Sequence, residues 1–299
     1  MIKSQNNEHL NLSKEYILAF SGGGTKALYG LAWTQAMLER GLKISEIFAS
    51  SSGAAFGLSI VSGNAPQVAE DFFDRAQRHK HLDLMGFLRG GALSGFEQTN
   101  AQMVKKWASL ESLKSNKMPI SILALKIPDQ SRRLRVWSFY NLARLLGKDI
   151  SQGTQRAKFY ARKIGVEPVL FRGTDFQNQQ EIVDAVLASS SLPPFVGRGK
   201  RFKQWLDGGL IHPSPVCEAL KKNPKAEVIA ICYHPKTARY IENSLKADGL
   251  DTQKVHWVYP KKRMSVGVLK FKSVESLREC YQDGYAHGFN QELISVSDS

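Results

Sequence analysis

The stretch EIFASSSGAAFG, residues 46–57, sets three serines between an apolar run and a run of small residues, and the fold turns on how that corner is read. ISEIFAS (44–50) has the apolar content of a buried strand, while GAAFGLSIVSG (53–63) begins a helix, so the serines sit at a strand-to-helix junction. A strand that turns sharply into a helix at a serine is a nucleophile elbow. The turn holds the serine with its Oγ projecting, and the residues two before and two after it have to be small. The common spelling is G-x-S-x-G. Only with Ser51 in the middle do both flanks fit, as Ala49 and Gly53; centring on Ser50 puts Phe48 at the first small position, and centring on Ser52 puts Ala54 where the last glycine belongs. Ser51 is therefore the candidate nucleophile, with Ala49 and Gly53 as elbow support. The same residues also fit a plain helix N-cap at Ser50 or Ser51. A nucleophile needs, in addition, an oxyanion hole and a base.

The same strand–turn–helix pattern precedes the corner. YILAFSGGG (16–24) reads as a buried strand running into a glycine turn, and TKALYGLAWTQAMLERG (25–41) as a helix stopping at Gly41. Two such units within sixty residues predict βαβ connections and a parallel sheet. Gly22, Gly23 and Gly24 can bring backbone N–H groups close to a ligand without Cβ interference, at the positive end of a helix. A phosphate-binding loop looks similar, but neither G-x-x-x-x-G-K-[ST] nor a full G-x-G-x-x-G is present.

Further helices are expected at 67–79, 100–110, 181–195 (ended by Pro193 and Pro194) and 273–293, and further strands at 118–127, 133–139, before the turn in 204–216, and at 226–235. Residues 1–13 read as a flexible polar arm and 14–295 as a single domain, without an internal repeat. LMGFLRGGALSGF (84–96) is apolar and glycine-broken, fit either to cap an acyl-binding groove or to lie in the core. Residues 132–163 carry nine Lys or Arg against one acid, Asp149, as a solvated face or one turned to a membrane or polyanion.

Composition narrows the function classes. The chain has 299 residues, 42% of them hydrophobic, and a formal net charge of +14. That allows a large core and favours anionic partners. Three cysteines without a C-x-x-C pair suit neither a disulfide framework nor a zinc finger, and no calcium loop is present, so no metal or other cofactor is expected. The first sixteen residues lack an apolar leader segment and no 18-residue apolar run occurs, so the expected location is cytoplasmic and at most peripheral to a membrane. A basic nucleic-acid-binding module would explain the charge alone, without the serine, glycine and aspartate motifs.

SGGGTKALYG (21–30), ASSSG (49–53), ASSSLPPF (188–195) and DGG (207–209) occur in the order and strand context seen in patatin-like phospholipases, and the chain resembles that family over roughly residues 15–290. The resemblance implies a three-layer α/β/α fold with a mostly parallel central sheet. It also implies a Ser–Asp dyad, with Ser51 as nucleophile, Asp207 as base, and Gly22, Gly23 and Gly24 as backbone oxyanion donors. Lys26 stands where the family has Arg or Lys, and Ala27 replaces a glycine that often follows. His212 occupies a position where the family often has asparagine, and nothing is carried over to it. Asp207 alone would also fit a simple Asx turn. The implied activity is hydrolysis of phospholipid or lysophospholipid acyl esters at an anionic membrane surface. The alternative is acyl transfer on the same dyad, and an activating partner is left open.

Overall fold

The structure, a computed structural model, describes residues 10–78, 96–115, 117–128, 165–192, 204–210, 214–268, 273–291 and 293–294. The expected apolar stretch at 84–96 (all but Phe96), the basic segment at 132–163, the strand at 133–139 and His212 lie outside them.

Among the described residues the core is a seven-stranded sheet. In chain order its strands are β2 (Glu15–Phe20), β3 (Lys43–Ser50), β4 (Ile120–Lys126), β5 (Glu167–Arg172), β6 (Trp205–Asp207), β7 (Glu227–Ile231) and β8 (Val255–Val258), arranged β5-β4-β3-β2-β7-β8 with β6 also on β4. The five strands from β4 to β8 across the middle pair in parallel, while β5 and β6 run antiparallel to β4. Parallel strands need crossover helices, which cover both faces and make the strands apolar throughout.

Alternate residues of each strand go to opposite faces. From β2 and β7, Leu18, Phe20, Ile229 and Ile231 enter the larger core, whereas Ile17, Ala19, Val228 and Ala230 enter the smaller one. The larger core is closed by α1 (Ala27–Glu39), α2 (Ser52–Val61), α3 (Ala65–Gln77), α4 (Phe96–Trp107), the short α5 (Leu110–Lys114), α6 (Gln179–Ser189) and the last helix, α9 (Val274–Phe289). α7 (Val216–Lys222) and α8 (Pro235–Ala247) close the other face. The architecture is α/β/α, as expected. Among the described residues no helix is long and apolar enough to cross a membrane.

The expected arm over 1–13 is too long. Leu10 and Asn11 form β1 and pair in parallel with β9 (Leu293–Ile294), and Leu10 is buried in the larger core. The apolar side chain holds this part of the segment against the domain. The expected helix at 181–195 stops at Ser189, four residues before the first of the two prolines, consistent with proline's exclusion from a helix interior.

Candidate active site

The site forms where two strands meet end to end along one edge of β4. β5 takes one edge of β4 over Ser121–Lys126. On the other edge β3 runs parallel to it as far as Ser50, opposite Leu123. There β3 ends, and β6 takes over the same edge in the opposite direction, with Asp207 opposite Ala124. The residue after β3 and the last residue of β6 are thereby brought together, although 155 positions separate them in sequence. The Ser51 side chain faces the Asp207 carboxylate closely enough to favour its charged form.

Ser51 has φ 54° and ψ −132° and is the only non-glycine residue with positive φ among the described residues. Such a backbone state costs about 1–3 kcal/mol and persists only where its surroundings impose it. Here they do. The Ser51 N–H donates to Ser189 Oγ at 2.8 Å, and Ser189 in turn donates to the Leu123 carbonyl at 2.5 Å. The small flanks expected of an elbow are required by contact: a Cβ on Gly53 would lie 2.5 Å from the Phe20 carbonyl oxygen, and Ala49 is fully buried.

The three glycines are not equivalent. Gly22 donates to Ser50 Oγ at 3.3 Å and Gly23 to Ser52 Oγ at 3.1 Å, whereas no acceptor among the described residues takes the Gly24 N–H. The hydroxyls of Ser50 and Ser52 are thus taken by the glycine turn, while the side chain of Ser51 faces Asp207. Added Cβ atoms would come within 2.5 Å of Ser51 Cβ at Gly22, 2.4 Å of the Tyr233 ring at Gly23 and 1.7 Å of the Val268 carbonyl oxygen at Gly24, where φ is +58°. Lys26 closes the 3-10 turn Gly24–Lys26 through its N–H to Gly23, and Ala27 is buried at the start of α1.

Asp207 is 5% exposed. Burial pushes its carboxyl up to about 6, against the opposing effect of the Ser51 side chain and of the hydrogen bond from the Gly209 N–H at 2.7 Å. Its own N–H is held by the Ser191 carbonyl at 2.9 Å. Gly208 is required as well, since a Cβ there would lie 2.3 Å from the Leu123 carbonyl oxygen.

Sequence reasoning missed the supporting roles of Ser189 and Ser191. Their signal was present in the repeated spelling Ala-Ser-Ser-Ser at 49–52 and 188–191.

Ser51 opens onto a narrow cleft of about 40 Å³, with Gly24, Ser190 and Asn100 among its polar lining. Its apolar wall is Ala55, Phe56, Phe72, Leu192 and Val268. No histidine lines it among the described residues. His256 bonds Glu227 on the far side of the sheet order, and His234 caps α8.

A solved structure similar in fold is that of VipD from Legionella pneumophila, with a TM-score of 0.45 and 14% identity over 95% of this chain and 66% of that one. The chain thus spans just under two thirds of that protein's length. No curated protein matches it by sequence. A family model described as patatin-like phospholipase matches residues 18–220. That match runs from β2 into α7, takes in well over half of the chain and contains both Ser51 and Asp207, so this chain belongs to the patatin-like phospholipase family.

Proposed function

We propose that the chain is a lipid acyl hydrolase of phospholipase A or lysophospholipase type, working through Ser51 and Asp207. The observation that carries this is the juxtaposition of a serine held at positive φ with a buried carboxylate, beside an apolar cleft.

The chemistry follows from that pair. A carboxylate titrating near 6 is ionised at neutral pH yet more basic than an ordinary aspartate, which suits it to accept the Ser51 proton. As Ser51 Oγ bonds to the ester carbonyl carbon, the carbonyl oxygen becomes an oxyanion. The open N–H of Gly24 is the donor best disposed to meet it, and Gly22 and Gly23 join by exchanging their serine acceptors. Removing one such donor typically costs about 3–4 kcal/mol of transition-state stabilisation. Collapse of the intermediate breaks the ester C–O bond, and the protonated Asp207 returns its proton to the departing alcohol. A water molecule, deprotonated by the same carboxylate, then attacks the acyl-Ser51 ester and releases the fatty acid. The wall of Phe56, Phe72 and Leu192 supplies the apolar surface for the acyl chain.

The test is free fatty acid release from anionic phospholipid liposomes by the wild type and by Ser51→Ala. Release by the wild type alone supports the proposal. Equal release by both would mean that the elbow is only a turn.

A further inference from the structure

On the opposite side of the glycine turn lies a second recess of about 760 Å³, lined by Lys26, His234, Lys261, Lys262 and Arg263. No acid lines it. Lys261, Lys262 and Arg263 are consecutive and exposed, and none of these three or Lys26 has an ion-pair partner among the described residues. Asp283 shares the neighbouring recess with Lys261 and Lys262 without pairing to either. Like charges gathered in one concavity raise its positive potential and favour an anion there.

The recess and the Ser51 cleft share a wall. Thr25 donates its N–H to the Val268 carbonyl at 3.0 Å and its hydroxyl to the Gly267 carbonyl at 2.6 Å. Val266 and Gly267 face the recess, while Val268, beside Gly24, lines the cleft. Val268 is 47% exposed and is one of two large exposed apolar side chains among the described residues.

We propose that this face docks on a bilayer. The cations of the recess bind the phosphate groups of anionic phospholipids and Val268 enters the apolar layer, setting the mouth of the Ser51 cleft against the membrane. The choice of lipid as partner rests on the hydrolase reading above. Nucleic acid fits the recess less well, because single strands bind on exposed aromatic platforms. Of the two rings in its described lining, Tyr233 lies against Gly23 with its hydroxyl on the Ser21 carbonyl at 2.9 Å, and His234 accepts the Lys236 N–H at the start of α8.

The experiment is cosedimentation of the full-length Ser51→Ala chain with vesicles of phosphatidylcholine, alone or mixed with phosphatidylserine. Lacking the proposed nucleophile, this chain reports docking even if the hydrolase reading fails. That failure would show separately, as silence of the wild type in the liposome assay. Lys261→Glu, Lys262→Glu and Arg263→Glu together are compared with Lys43→Glu, Lys225→Glu and Lys254→Glu, which change the charge comparably at the opposite end of the parallel strands. Expected is a loss of partitioning of about a hundredfold for the first set and less than about threefold for the second, seen only with phosphatidylserine present. Glutamine at the first three positions keeps the test readable if the reversed chain does not fold. Val268→Asp is expected to weaken partitioning further. Equal losses in both sets, no loss in either, or binding indifferent to phosphatidylserine would overturn the proposal. So would tight binding of inositol hexakisphosphate or RNA, abolished by the first set, by a chain that ignores the vesicles.

Discussion

Residues 49–52 and 188–191 are both Ala-Ser-Ser-Ser, followed by Gly53 in one case and Leu192 in the other. At the first, the middle serine is driven to positive φ and the outer two hydroxyls accept from the glycine turn. At the second, Ser190 keeps an ordinary φ of −102° as α6 ends, and the hydroxyl of Ser189 and carbonyl of Ser191 hold the partners of the first run in place. Composition is shared and chemistry is not. What separates them is the structure that follows. Gly53 lets α2 start hard against the Phe20 carbonyl, which forces the corner, whereas the second run winds down from a finished helix.

The comparison breaks most visibly at the proposed dyad. Ser51→Ala is expected to lower fatty acid release by at least about 10⁴-fold, whereas Ser190→Ala leaves it within a fewfold. Asp207→Asn should abolish turnover to a similar degree and yet stabilise the fold. The carboxyl binds its proton more tightly folded than unfolded, so its contribution to stability is full below about pH 4 and is lost as pH rises through about 6. The asparagine variant should therefore melt higher than wild type above pH 6, by up to about 3 kcal/mol, with the difference fading below pH 4. Thermal melts across pH check this. In the wild type kcat/KM should fall about tenfold per unit below pH 6, as Asp207 takes up its proton.

Smaller effects sharpen the contrast within the second run. Ser189→Ala leaves the Ser51 N–H and the Leu123 carbonyl without their shared partner, and should cost about 1–3 kcal/mol of stability together with a drop of about tenfold in kcat at little changed KM. Ser190 Oγ is buried with no partner among the described residues, so Ser190→Ala should be neutral or slightly stabilising in denaturant titration.

Local signals in the sequence carried the strands and helices around the elbow. β2, β3, β4 and β7 are long apolar runs, and α1, α2 and α9 end at residues or turns that can be read one by one. β5, EPVLFR, is half-exposed along its length and shows neither alternation nor a continuous apolar run, so nothing local marks it. α8 did carry a readable mark, Pro235 in its first turn with Ala238, Ile241 and Leu245 at helical spacing. In the site, Ser51 and Asp207 are legible because small residues flank each at fixed spacing. Their meeting is not legible, because it depends on β3 and β6 sharing one edge of β4, a long-range pairing that no local pattern encodes.

Each of the three consecutive glycines is pressed by a different, distant part of the chain: Gly22 by Ser51, Gly23 by Tyr233 and Gly24 by Val268. A chain leaving the ribosome presents its glycines and elbow early and the last of these three contacts only after residue 268 has been added. During synthesis the glycine turn thus lacks its last packing contact until the segment carrying Val268 has been made.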